Sequence, residues 1–184
     1  MKITDEQKGL ARKFVEENIQ AGLTCSETVF NALIRAKILD LPPEATALAS
    51  GINGGVAGTG HTCGAVAAAV MAMGAAYGRA DPRHNPVQMF KSPNKKNEVK
   101  DAKEDYRYYM MRRFNNVVGD FAQEMGTTKC QEIIDRNGGY WNEKRQAECE
   151  HCMRTGVEIA MKYLEMRQAE ADKLPYAKNI FNWK

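Results

Sequence analysis

Residues 62–77 decide the fold class, and they read TCGAVAAAVMAMGAAY. From Ala65 to Tyr77 this stretch is apolar on all sides of a helix, as a helix in the middle of a bundle is. The run is shorter than the roughly 20 apolar residues that a membrane-spanning helix needs. The sequence therefore predicts a central helix of small residues, packed on by its neighbours, and no membrane span.

Helical periodicity dominates the rest of the chain, and strand alternation is almost absent. The predicted helices cover about 4–21, 24–39, 46–50, 65–77, 97–125, a short segment after 128, and 142–171. Residues 78–97, rich in proline and asparagine, predict an irregular excursion. We expect an all-α bundle of about five to seven helices, forming one domain over 1–184. Residues 173–184 form a tail, with Phe181 and Trp183, that docks on the body or on a partner.

Composition and charge exclude several classes of protein. The chain is 43% apolar and 27% charged, with a net charge of +3 that is weak and dispersed. This argues against a nucleic-acid partner. The first residues are polar and acidic, without a secretory signal, so we expect a cytoplasmic protein. Because structural disulfides are uncommon there, the five cysteines indicate metal binding, redox chemistry or simple burial.

Three cysteines fall in the predicted first turns of helices, each after a threonine that predicts the N-cap. They are Cys25 after Thr24, Cys63 after Thr62, and Cys130 after Thr128. Free N–H groups and the helix dipole stabilise an anion at such a position. A thiolate is both the nucleophile and the metal ligand, and its pKa should fall there below the ordinary value of about 8.5.

The other two cysteines, Cys149 and Cys152, form a CxxC motif in the last predicted helix. Residues three apart share a helix face, so both side chains can point inward. The βαβ pattern of a thioredoxin site is missing, and Met153 stands where a c-type haem motif needs histidine.

A glycine-rich loop over residues 51–60 precedes Cys63 and mimics a P-loop. His61 replaces the lysine of that motif, so we do not expect nucleotide binding. Glycines instead allow the loop to pass close to the Cys63 site. We take Gly60, His61 and Gly64 as candidate cofactor-contacting residues, with His61 as a possible ligand or proton donor.

These motifs resemble a family of redox-active proteins named for a C…CGAxxG…C…C pattern, which also occurs in split-Soret cytochromes. The matching stretches are LTCSETV at 23–29, the glycines of 50–55, TCGAV at 62–66, KCQ at 129–131, and Cys152. The resemblance spans about 10–165 and implies redox function, with Cys25, Cys63, Cys130 and Cys152 as the family's four cysteines. The second motif glycine is Ala68 here, and Cys149 is extra, so either Cys149 or Cys152 is the fourth. The haem arm has no counterpart, so we expect no haem.

We therefore predict that Cys25, Cys63, Cys130 and Cys152 converge on one redox site. Four thiolates suit an iron–sulfur cluster, most simply [2Fe–2S], that exchanges single electrons with a redox partner protein. Low-pKa thiolates equally suit a metal-free thiol–disulfide oxidoreductase, with Cys25 paired to Cys63 and Cys130 to Cys152. A structural zinc site is the third alternative, although only one short CxxC pair is present. The apolar tail and the small-residue helix also make a homodimer plausible.

Overall fold

The computed structural model describes residues 1–81, 83 and 106–180. These residues form α1 (Asp5–Gln20), α2 (Cys25–Arg35), a 3₁₀ helix (Pro43–Ile52), α3 (Gly64–Tyr77), α4 (Tyr106–Met125), α5 (Cys130–Arg136), α6 (Glu143–Glu165) and α7 (Gln168–Ala171). Within the same ranges, the only strand-like pairing is an isolated bridge between Thr62 and Lys129. The all-α prediction is confirmed.

The described residues contain eight helices, slightly more than the predicted five to seven. The predicted last helix over 142–171 accounts for the difference, because it divides at Met166. This residue leaves the helical conformation (φ −58°, ψ 130°) and separates α6 from α7. The predicted start of α4 at residue 97 and the tail residues Phe181 and Trp183 lie outside the described residues.

Helix α3 occupies the centre of the bundle, as the sequence predicts. It contacts α2, α4, α6 and the 3₁₀ helix, and its most extensive contact is with α6. Gly156 allows α6 to lie close, since a Cβ atom at this position would be 3.1 Å from the carbonyl oxygen of Ala65. Small residues on both helices therefore set the close approach at the core.

Helices α1 and α2 pack against each other, and α2 also contacts α6. A reciprocal capping box begins α1: the Gln7 N–H donates to the Thr4 hydroxyl (3.2 Å), and the Thr4 N–H donates to the Gln7 side chain (3.0 Å). Val29, Phe30 and Leu33 of α2 are all buried. The start of α2 is thus fixed beside the core, where Cys25 lies.

The described part of the C-terminal tail lies against α4. The Asn116 side chain donates to the carbonyl of Pro175 (2.9 Å), and the Asn115 side chain donates to that of Lys178 (3.0 Å). No helix in the parts of the chain that the structure describes is both long and apolar enough to cross a bilayer.

Candidate redox site

All five cysteines lie near one another, although they come from four separate parts of the chain. Cys25, Cys63 and Cys130 stand at the starts of α2, α3 and α5, and Cys149 and Cys152 lie in the first half of α6. Each thiol takes part with at least two other thiols in an interaction that shifts the pKa of one member of the pair. The structure records all five as free thiols.

The cysteines form two groups. Cys25, Cys130 and Cys149 line a cavity of about 330 Å³. Cys63 and Cys152 are buried, with exposed fractions of 5% and 1%, and the Cys152 thiol donates a hydrogen bond to Cys63. The contact between Cys63 and Cys152 differs from the pairs that the sequence predicts for a dithiol enzyme, because α6 lies directly against the start of α3.

Backbone hydrogen bonds hold the segments before α3 and α5 side by side. The Cys63 N–H donates to the carbonyl of Thr128 (2.7 Å), and the Cys130 N–H donates to that of His61 (2.6 Å). The Gln131 N–H donates to the carbonyl of Gly60 (2.8 Å). Because these bonds involve the cysteine backbones themselves, they fix the separation of Cys63 and Cys130.

The same bonds shift two of the predicted helix starts. Cys25 is the first residue of α2 after the N-cap Thr24, as predicted. Cys63 does not follow an N-cap at Thr62 but is itself the N-cap of α3. Its N–H is therefore engaged by the neighbouring segment and lies outside the helix.

The predicted N-cap at Thr128 is also wrong. Lys129 is the N-cap of α5, and no side chain caps this helix. The Thr128 carbonyl accepts from Cys63, and the hydroxyl of Thr127 accepts from the Lys129 N–H (3.0 Å). Cys130 is consequently the first residue of α5.

The predicted fall in thiol pKa occurs only at Cys63. The hydrogen bond from Cys152 lowers the pKa of Cys63 to about 7, and the N–H groups of Ala65 and Val66 add to this effect. Donating that bond, together with burial, raises the pKa of Cys152. This asymmetry makes Cys63 the thiol of the pair that ionises first.

For Cys25 and Cys130, the prediction of a lowered pKa is wrong. Burial, together with the charge of neighbouring Cys63, raises the pKa values of both Cys25 and Cys130 to about 11. The N–H groups of Gly54 and Ser26 lower the pKa of Cys25, but by less than burial raises it. At these two positions, the loss of hydration raises the thiol pKa by more than the position at a helix start lowers it.

Gly64 has a specific reason to be glycine. A Cβ atom on this first residue of α3 would lie 2.5 Å from the Cys25 sulfur. Gly55 is constrained in the same way, since its Cβ would lie 2.8 Å from that of Cys130. The glycine-rich loop thus approaches Cys130 closely through Gly55, whereas the sequence predicts an approach to the Cys63 site.

Gly60 and His61 contribute through the backbone bonds described above. Gly60 adopts φ +77°, and a Cβ there would lie 2.8 Å from the side-chain oxygen of Gln131. The exposed ring of His61 interacts through Nδ1 with the hydroxyl of Thr59 (2.8 Å), away from the cavity lining.

Arg145 and Tyr140 line the cavity with the cysteines, although neither belongs to a predicted motif. The Arg145 guanidinium lies 3.7 Å from the Cys149 sulfur. Their spacing of four residues in a predicted helix is the signal that could have found this contact. Burial raises the pKa of Cys149, and Arg145 opposes that rise.

A protein-family model described as "Putative redox-active protein (C_GCAxxG_C_C)" matches residues 23–163, well over half of the chain. The chain belongs to this family. Searches of curated proteins and of solved structures found no match. The resemblance read from the sequence is confirmed, and membership of the C_GCAxxG_C_C family supports a redox role.

The matched region contains all five cysteines of this C_GCAxxG_C_C protein. Ala68, which stands where the motif has its second glycine, is fully buried in α3. Its methyl group is accommodated in the packing of the central helix. The departure from the motif therefore lies in the core of the bundle.

The arrangement of donors tests which metal centre the site fits. Within residues 1–81, 83 and 106–180, no three His, Cys, Asp or Glu side chains are grouped as ligands of one ion. A four-thiolate zinc site needs all its sulfurs about 2.3 Å from a single ion. In this structure Cys63 and Cys152 form one pair in contact, and Cys25, Cys130 and Cys149 surround the cavity.

Proposed function

We propose that this protein transfers single electrons through an iron–sulfur cluster, [2Fe–2S], held by Cys25, Cys63, Cys130 and Cys152. The observation that carries the proposal is the gathering of thiols from four distant parts of the chain: Cys25 and Cys130 line the cavity, and Cys63, in contact with Cys152, is close enough to act on both. A cluster of this type takes four cysteine thiolates, two on each iron. Cys63 and Cys152 supply one pair in contact, and Cys25 and Cys130 line the cavity beside them.

The chain also offers hydrogen bonds that suit sulfur carrying negative charge. The N–H groups of Gly54 and Ser26 are directed at the Cys25 sulfur, and those of Ala65 and Val66 at Cys63. Hydrogen bonds to the sulfurs and exclusion of water are two of the factors that set cluster potentials. When bound, the cluster would supply the one-electron chemistry, and these groups would hold and tune its ligands.

A thiol–disulfide oxidoreductase is the second candidate, favoured by the unequal Cys63–Cys152 pair. The Cys63 thiolate would attack an external disulfide, forming a mixed disulfide and releasing one thiolate. Cys152, after losing its proton, would attack the Cys63 sulfur and release the second thiol. The result is a Cys63–Cys152 disulfide and a reduced substrate. This candidate ranks second because both thiols are nearly inaccessible.

The test is an absorption spectrum with iron and sulfide analysis on protein purified without air. We expect a visible band and equal amounts of iron and acid-labile sulfide. Colourless protein without iron would contradict the cluster. A redox-dependent count of thiols would then support the dithiol enzyme, whereas one tightly held zinc ion would support the structural site.

Cys149→Ser and Cys152→Ser are matched variants on the same helix. We expect Cys152→Ser to abolish the visible band, as should serine at positions 25, 63 and 130. Cys149→Ser should retain the band, because this thiol is the extra one. Loss of the band in Cys149→Ser together with its retention in Cys152→Ser would show that Cys149 is the fourth ligand.

A further inference from the structure

Arg145 is a cation that faces the thiols from the wall of the cavity. Its guanidinium donates toward the Cys149 sulfur at 3.7 Å, and its charge also acts on Cys130. Because Arg145 lines the same cavity as Cys25, a single positive charge is directed at the open side of the cysteine site.

Contacts with Tyr140 hold Arg145 in this orientation. Arg145 Nε donates to the Tyr140 carbonyl (2.6 Å), and the guanidinium carbon lies 4.3 Å from the centre of the Tyr140 ring. The position of Arg145 in the first turn of α6 places it four residues before Cys149, on the same helix face. The guanidinium is therefore positioned before any ligand arrives.

Arg145 takes part in none of the ion pairs among residues with a described position. Arg136, a second cation that acts on the thiols, is ion-paired with Glu148. Glu150, the carboxylate that lines the cavity, pairs with Arg154 (3.3 Å).

We propose that Arg145 is a positioning residue that supplies the counter-charge of the cysteine site and stabilises its reduced state. The inference rests on the proposed function. Each electron that enters a thiolate-bound cluster adds one negative charge to the site, and a fixed cation in a partly buried cavity stabilises that charge. Arg145 therefore raises the reduction potential of the site.

A redox titration of Arg145→Gln, Arg145→Lys and Lys144→Gln tests this inference. Arg145→Gln should bind the same amount of iron as the unaltered protein and have a more negative midpoint potential. Arg145→Lys should have a midpoint potential between those of Arg145→Gln and the unaltered protein, because lysine keeps the positive charge. Lys144→Gln removes an exposed positive charge from the adjacent residue and should leave the potential unchanged. Equal potentials in Arg145→Gln and the unaltered protein would overturn the inference while the proposed function stands.

A second measurement on reduced, metal-free protein does not depend on the cluster. Iodoacetate is anionic and iodoacetamide is neutral, and both react with the thiolate. The rate with iodoacetate divided by the rate with iodoacetamide at Cys149 therefore reports the electrostatic potential at that sulfur. We expect this ratio to fall about threefold or more in Arg145→Gln. An unchanged ratio would overturn the inference. A lowered ratio in a protein that never holds iron would contradict the proposed function alone.

Discussion

At the scale of single residues, the contact between Gly64 and the Cys25 sulfur is the constraint most directly open to mutation. Gly64→Ala introduces a Cβ atom 2.5 Å from that sulfur, so the thiol or the start of α3 must move. We expect the free energy of unfolding to fall by about 1–3 kcal/mol, as overpacking in a core does. We also expect weaker iron binding, since Cys25 loses its position. Urea unfolding and iron analysis measure the two effects.

Gly74 provides the matched control, because it lies in the same helix. A Cβ atom at Gly74 would meet nothing within 4 Å, and the residue is exposed. Gly74→Ala should therefore raise stability by about 0.5–1 kcal/mol through helix propensity alone and leave iron binding intact. A similar response of both variants would mean that the Gly64–Cys25 contact does not restrict the site.

The sequence identified the residue types of the site better than their environments. The cysteines and the glycine-rich loop could be predicted, because their spacing and composition are local properties. The contact of Arg145 with Cys149 follows from their spacing in one helix, whereas the hydrogen bond from Cys152 to Cys63 depends on how α6 packs against α3, which no local pattern contains. The raised pKa of Cys25 has the same origin, since burial by distant segments outweighs its place at a helix start.

At the scale of secondary structure elements, Glu27 joins the start of α2 to the end of the 3₁₀ helix. Its carboxylate accepts from the Thr24 N–H (3.0 Å) and from the Ser50 hydroxyl (2.6 Å). The Ser50 bond and the Thr24 bonds lower the pKa of Glu27 below its ordinary value of 4.5. The stabilisation is therefore present above about pH 4.5 and is lost as the pH falls and the carboxylate becomes protonated.

Glu27→Gln should lower the free energy of unfolding at pH 7 by about 0.5–1 kcal/mol, the usual cost of a weakened cap. The difference from the unaltered protein should shrink between pH 7 and pH 3.5, because a growing fraction of the Glu27 carboxylate is then protonated and loses its charged bonds. Urea unfolding at the two pH values measures this difference.

Glu6→Gln, in the first turn of α1 and exposed, is the control for loss of an acidic residue near a helix start. A Glu27→Gln effect that is the same at both pH values would rule out the charged bonds as its cause.

Helix boundaries were less predictable than the helices themselves. The capping residues of α1 and α2 act locally, and the predicted Thr24 N-cap is observed. The starts of α3 and α5 shift because their segments bond to each other across the chain. A pattern of threonines cannot reveal a competing partner that lies more than 60 residues away in the sequence.

At the scale of the whole molecule, Arg113 of α4 joins three elements at the end of the bundle remote from the cysteines. It is buried, with its guanidinium 4.0 Å from the centre of the Tyr77 ring of α3. It donates to the carbonyls of Tyr163 and Met166 at the end of α6, and burial lowers its pKa. Along α6, Tyr163 and Cys149 are about 20 Å apart at 1.5 Å per residue.

Arg113→Met should lower the stability of the protein without changing its redox properties. Methionine fills part of the volume but leaves the α6 carbonyls without their donor, so we expect the free energy of unfolding to fall by about 2–4 kcal/mol. The visible spectrum and midpoint potential should not change, because the cysteines are held by contacts at the other end of α6. Urea unfolding and a redox titration on the same preparation measure the stability and the midpoint potential.

Arg167→Met is the control: it removes an exposed arginine paired with Glu170 and should leave the stability and the midpoint potential unchanged. A shifted potential in Arg113→Met would mean that the packing at the end of α6 controls the position of the cysteines, and that the two ends of the bundle are coupled.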